Sequence, residues 1–274
     1  MRQAVLATAG WIVLLSAAFA CGKADNGEIE EGVRLVLQAD MRNLPPGTDP
    51  DEAMDDLREV LERRLKAFDA HYEIDAAEAN RLTVTVEDVT TDAARDLLAR
   101  TARLEFRSPV RDDDGSIVCE NPDGSTYDVP FAPAAFVQDA TNNLRCMANP
   151  EGTSGVVQWE PAMATDSEGA ERVLTGDYLR PSARVVGPPV SVAIEFTSEG
   201  GLLFEQITGE LVGLPLAIFL DEDLIGAPTV QQAITGGQTT ITGLTAEEVK
   251  TLAILLNAGA LPVPVEVIRE EAVP

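Results

Sequence analysis

Basic and chemically versatile side chains are scarce in this 274-residue sequence. Lys and Arg total 20 against 46 Asp and Glu, a formal net charge of −26. Phosphate backbones and anionic lipid surfaces would both repel such a chain, so nucleic-acid binding is not expected. One His, three Cys and 5% aromatics leave little material for metal cages, haem or imidazole catalysis. Accordingly, neither a cofactor nor a metal is expected. His71, Ser198 and Glu199 offer no Ser, His, Asp grouping that their spacing supports, and His71 stands at a helix end. No phosphate-loop Lys follows Gly236 and Gly237. Carboxylates could supply an acid and a base somewhere, but with so many of them that observation singles out no site. The chain is therefore not read as an enzyme. With 45% apolar residues it can still bury a sizeable core, in one large domain or two modest ones.

Long hydrophobic runs are also rare. From Gly22 onward none approaches a membrane span, and the stretch 211–220 is short and interrupted by Gly213 and Pro215. The exception is N-terminal: an uncharged, mostly apolar run from Ala4 to Ala20, closed by Ala18, Phe19, Ala20, Cys21 and Gly22, with the next charge at Lys23. That is the shape of an export signal, so residues 1–21 are set apart as a signal, lipoprotein or membrane-anchor segment. As a helix the run would measure about 26 Å, slightly short of a ~30 Å hydrocarbon core. The small-x-small step before Cys21 favours cleavage, which would place the Cys21 thiol for lipid attachment as in a bacterial lipoprotein. Ala18 and Phe19 depart from the usual leucine-led approach; an uncleaved anchor and a cleaved soluble protein are the alternatives. In each case the body is expected in the periplasm, outside the inner membrane. An oxidising compartment permits a disulfide between Cys119 and Cys146, the alternative being two unpaired buried thiols.

Periodicity organises the rest. Residues 33–39 alternate as a strand. Asp49, Pro50 and Glu52 open a helix whose Met54, Leu57, Leu61, Leu65 and Phe68 share one stripe. Strands are expected at 72–75 and 81–87, a helix from Thr90 or Thr91 to about Arg100, and a strand at 104–107. This β, α, β, α, β order argues for a small α/β sandwich with helices on one face of a sheet. From 108 to 170 Pro, Gly, Asp and Asn dominate, and eleven acids face only Arg111 and Arg145. Setting Gly115 or Gly124 at the sixth position of an EF-hand loop leaves the required carboxylates missing, so a solvated turn region with short strands is read instead of a metal site. Order returns with a strand at 190–196, a helix at 199–210, a hairpin of 216–220 with 224–230, and a strand at 239–242. Thr245 and Glu248 form a capping box for a helix with Val249, Leu252, Ala253 and Leu256 inward and Gly259 as its C-cap, followed by a last strand at 263–268.

Several segments together resemble the first periplasmic domain of the bacterial protein-export membrane protein SecD. In the N-terminal half they are Val60-Leu61-Glu62-Arg63-Arg64-Leu65, Asn80 to Val86 and Thr101 to Arg107. Later come Leu174-Thr175-Gly176-Asp177-Tyr178-Leu179 and Ile194 to Gly200. The strongest block is C-terminal: Leu216 to Asp221, Gly226-Ala227-Pro228, Ile234 to Gly237, and Leu252 to Pro262. The resemblance implies an α+β fold: a ferredoxin-like base from 32–107 plus 260–270, and an inserted α+β head at 108–259. It also implies a head that contacts unfolded or emerging secreted polypeptide, alongside Sec translocase subunits, and moves relative to the base.

The departures matter too. The family's Gly-rich segment after its first membrane helix is reduced here to Glu30-Glu31-Gly32-Val33, and the turn-rich insertion is peculiar to this chain. Sequence ends at Pro274, where family members enter membrane helices that carry the proton pathway, so no proton-driven motor is expected within it. Two functions follow as expectations: an envelope-anchored SecD-like module for protein export, or an interaction lipoprotein that keeps the head fold and binds another envelope protein or ligand.

Overall fold

A computed structural model describes residues 32–273, apart from 45–46, 78–79, 131, 133–134, 140–142 and 148–154. The N-terminal segment with Cys21 lies outside the described residues. The first unit grows from β1 (Gly32–Ala39), whose Val33, Leu35, Leu37 and Ala39 all point inward. It pairs antiparallel with β3 (Arg81–Glu87) on one side and with the last strand, β18 (Val265–Val273), on the other. With β2 (Tyr72–Ala77) the order is β18-β1-β3-β2. Helices α1 (Pro50–Phe68) and α2 (Thr91–Leu98) supply Leu57, Leu61, Leu65, Leu97 and Leu98 to the same core. The result is a ferredoxin-like β-α-β-β-α-β unit closed by a strand from the far end of the chain. The Asp49 carboxylate caps α1 by accepting from the Asp51 N–H, not through a reciprocal bond with Glu52.

One strand lies elsewhere than its position in sequence implies. β4 (Leu104–Pro109), assigned by spacing to the base, sits in a second sheet of order β10-β4-β15-β16, with β10 (Trp159–Pro161), β15 (Ala217–Leu220) and β16 (Asp223–Gly226). The reason is a contact distant in sequence. Asp221 accepts from the N–H groups of Ala102 and Arg103 at 3.0 and 2.9 Å, fastening the chain just before β4 to the end of β15. Phe106 then buries against Phe196 and Phe204, ring centroids 5.5 and 6.1 Å away. A third sheet, β13 (Arg184–Val186), β14 (Ser191–Glu195) and β17 (Gln238–Ile241), shares this core with α3 (Ser198–Glu210) and α4 (Ala246–Ala258). The regular strand expected at 224–230 stops at Gly226: Pro228 has no N–H to donate to a ladder, and pairing continues beyond it as a bridge between Pro215 and Thr229 with backbone bonds from Leu216 to Pro228 and from Val230 to Leu214.

The turn-rich stretch carries its own sheet, β6-β5-β9-β8-β7, from β5 (Ile117–Glu120), β6 (Thr126–Val129), β7 (Phe136–Gln138), β8 (Leu144–Cys146) and β9 (Gly155–Val157). A disulfide joins Cys119 to Cys146 with 6.4 Å between Cα atoms, passing across β9, which lies between their strands. Gly155 is required on β9: a Cβ there would meet the Glu120 carbonyl oxygen at 2.6 Å and the Tyr127 ring at 3.0 Å. Several acids of this stretch serve turns. Asp112 accepts from the N–H groups of Asp114 and Ser116, and Gly115 follows at φ +81. Asp166 repeats the pattern with Glu168, Ala170 and Gly169, in the hairpin of β11 (Met163–Thr165) and β12 (Glu171–Val173). Hydrogen bonds from Arg172, then from the Ala170 N–H, hold the Asp166 carboxyl below the ordinary Asp range. The disulfide closes a 27-residue separation, so replacing both cysteines by Ser is expected to lower stability by about 3–4 kcal/mol. Urea unfolding measures this, and an unchanged midpoint would contradict it.

Candidate functional site

The two large cores meet at the C-terminal end of α4. The helix opens on the capping box of Thr245 and Glu248. It is apolar on two faces: Val249, Leu252, Ala253 and Leu255 enter the core of the inserted part, while Ile254 and Ala258, with Leu261 and Val263 beyond the helix, enter the core of the ferredoxin-like sheet. Of the positions sequence places inward, Leu256 is only partly buried. Reading one stripe per helix missed the second face.

Arg64 of α1 is fully buried at this junction, with 0% of its surface exposed. Its Nη1 donates to the carbonyls of Leu97 and Arg100 at 3.1 and 2.6 Å, and its Nη2 to those of Thr101 and Gly259 at 3.4 and 3.2 Å. These oxygens stand at and just beyond the ends of α2 and α4, where helix carbonyls lack intrahelical partners and the helix dipole favours a cation. Burial pushes the guanidinium down to about 10, against the pull of the Asp221 carboxylate, so it is still charged at neutral pH. Its neighbour Arg63 donates through Nε and Nη2 to the Ala258 carbonyl at 3.2 and 3.0 Å. The sequence held a signal for Arg64: it lies seven residues after Leu57 and three after Leu61, within the apolar stripe.

Other quoted segments assemble around the same helix. Asn257 forms a two-way amide pair with the Ala183 backbone, Nδ2 to O at 2.7 Å and N to Oδ1 at 2.8 Å. Thr197 donates its N–H to the Tyr178 carbonyl at 2.7 Å, and Phe196 to that of Gly237 at 2.7 Å. Gly200 is packed so closely that a Cβ would stand 2.5 Å from the Tyr178 Cβ. Thus the segments around Gly176, Phe196 and Gly236, remote in sequence, form one contact.

Two clefts flank α4. The first, of about 880 Å³, lies at its C-terminal end between Arg63, residues 101–104, 175–177 and 256–262. The second, of about 920 Å³, runs between α2, the N-terminal half of α4 and the β15–β16 hairpin. Residues considered for catalysis are apart: His71 meets Glu87 at 3.0 Å at the first sheet, whereas Ser198 and Glu199 begin α3 in the other core. No group of His, Cys, Asp and Glu among the described residues is arranged to hold a metal. Nor, among them, is any helix long and apolar enough to cross a membrane.

The family described as SecDF, P1 head subdomain, matches residues 164–263, the span from β11 through α4. The chain carries a domain of the SecD type. Protein translocase subunit SecDF of Thermus thermophilus is 31% identical over 255 residues, covering 90% of this chain and 31% of that protein. Protein translocase subunit SecD of Endomicrobium trichonymphae is 29% identical over 255 residues, covering 90% of this chain and 52% of that one. The solved structure "Structure and function of a membrane component SecDF that enhances protein export" has a TM-score of 0.54 and 27% identity, covering 86% of this chain and 98% of its own. This chain thus spans about a third to a half of the length of these curated SecD and SecDF relatives. Its α+β architecture agrees with the fold the SecD resemblance implies.

Within this SecD-type junction Arg64 serves four carbonyls at once. Arg64→Ala, which leaves all four without that donor, is expected to cost about 3 kcal/mol or more, measured as a lower urea midpoint with helix content retained in the native baseline. A midpoint equal to that of the parent would show that water replaces the guanidinium at no cost.

Proposed function

We propose that this chain is an envelope-anchored protein-export module of the SecD type that binds unfolded or emerging polypeptide on the outer side of the inner membrane, beside Sec translocase subunits. The ferredoxin-like sheet with α1 and α2 serves as the base. The part from β4 through α4 serves as the head, which carries the polypeptide. The observation that supports this reading most is the junction at α4, built from segments that resemble SecD: Arg63 and Arg64 tie α1 to the end of α4, while Asp221 and Asn257 brace the inserted side. Relatives that align over most of the chain are named as protein translocase subunits, which supports transport over catalysis.

Residues 1–21 act as the anchor, with lipid attached at Cys21. Cys21→Ala is then expected to abolish labelling by a fatty acid and to move the protein out of the membrane fraction; labelling that persists would place the anchor elsewhere. For the export role, a photo-reactive amino acid at exposed head positions, Leu202 or Val212, is expected to cross-link in cells to exported polypeptides during translocation and to Sec translocase subunits. Adducts with neither, or solely with some other envelope protein, would overturn the export reading.

A further inference from the structure

The second cleft combines an apolar floor with an acidic rim. Phe68, Leu244 and Ile225 line it with partly exposed surface, over buried Phe219, Leu224 and Leu252. Six carboxylates border it: Asp92 and Asp96 on α2, Glu222 on the β15–β16 turn, Asp223 at the start of β16, and Glu247 and Glu248 on the first turn of α4. Arg100 lines the cleft, Lys250 stands beside it over Phe68, and Arg95, paired with Glu270, adds a longer-range pull on Asp92 and Asp96. Arg100 is occupied by Asp96 and Asp223, at 3.3 and 3.2 Å, and the Lys250 ammonium lies 4.4 Å from the Phe68 ring centroid. Among the described residues no Arg or Lys forms an ion pair with Asp92, Glu222, Glu247 or Glu248.

β16, whose Leu224 and Ile225 line the cleft, is the edge strand of its sheet. An edge strand can accept an added strand through its main chain, with pockets beside it reading alternate side chains. Apolar residues of such a strand would face the floor while the intervening ones meet the carboxylates, because side chains alternate along a strand. The cleft at about 920 Å³ is of a size that holds a short extended segment and not a folded domain.

We infer that the cleft between α2, α4 and the β15–β16 hairpin binds an extended polypeptide segment in which Lys or Arg alternates with apolar residues. The occupant is a stretch of unfolded chain, chosen by charge complementarity of the rim and apolar complementarity of the floor. This inference rests on the export reading, since it names the class of segment that the head would hold.

The test uses the full chain and three fluorescent peptides of equal length, alternating Val with Lys, with Ser or with Glu. The Lys–Val peptide is expected to bind at least tenfold more tightly than the Ser–Val peptide at low salt, with the advantage shrinking as salt rises. The Glu–Val peptide is expected not to bind. Glu222→Lys with Glu247→Lys, both at exposed positions, should reduce Lys–Val affinity about tenfold or more while the native helix and sheet content is retained. Ile225→Asp should reduce binding of Lys–Val and Ser–Val peptides alike. Equal binding of the Glu–Val peptide, or unchanged affinity in the charge-reversed variant, overturns the assignment of the cleft. If either occurs while exported chains still cross-link to the head in cells, the cleft fails and the export reading stands. Peptide selectivity as expected, with no exported chain cross-linked in cells, supports the cleft and overturns export as its use.

Discussion

A fully buried guanidinium with no carboxylate in its hydrogen-bond shell holds the two halves of this molecule in register. Taking a charge out of water is costly, and a lone carboxylate partner often fails to recover that cost. Arg64 is served differently. Four carbonyl oxygens surround it, at and just beyond the ends of α2 and α4; helix-end carbonyls lack intrahelical donors, and that of Thr101 also accepts the Leu261 N–H at 2.8 Å. Asp221 adds a longer-range pull while its own oxygens take the N–H groups of Ala102 and Arg103. The two terminal nitrogens of the guanidinium are thereby satisfied, while its buried Nε has no partner. Removing the guanidinium takes a donor from all four carbonyls at once.

This arrangement explains why α4 can be apolar on two faces. A helix that buries residues in two cores must end where both cores agree, and its last turn is fixed from both sides. Arg63 and Arg64 reach it from α1, and Asn257 holds Ala183 on the other. Gly259, at φ +88, then turns the chain out of the helix toward β18. That strand returns to the edge of β1 and closes the first sheet. The inserted part thus leaves the ferredoxin-like sheet through residues 99–103 and returns through 259–264. Both passages lie within reach of Arg64.

Local chemistry made much of this legible from sequence. The Thr245 and Glu248 capping box, the Asp49 and Thr90 caps and the alternation of β1 and β3 depend on neighbours a few residues away, and each stands in the structure where its residues place it. What escaped depends on partners far off in the chain. The pattern of 104–107 specifies a strand but not a sheet; Asp221, more than a hundred residues later, decides it. The inner faces of α4 needed the same distant knowledge, because a one-stripe reading assumes one core. Arg64 escaped for a further reason: a charged residue is placed outside by default, though its position in the stripe of α1 opposes that default.

Charge shows the same division between local and distant causes. In the insertion several acids are used near home: Asp112, Asp123 and Asp166 accept from N–H groups of their own turns. Around the second cleft of α4 the acids come from three separate elements, and four of the six have no Arg or Lys partner among the described residues. Charges of one sign that line the same cleft attract a cation approaching from outside. A net charge of −26 thus has two meanings in one chain. In the insertion it reflects in part how hairpins are turned, whereas beside α4 it leaves Asp92, Glu222 and Glu247 without an Arg or Lys ion pair among the described residues.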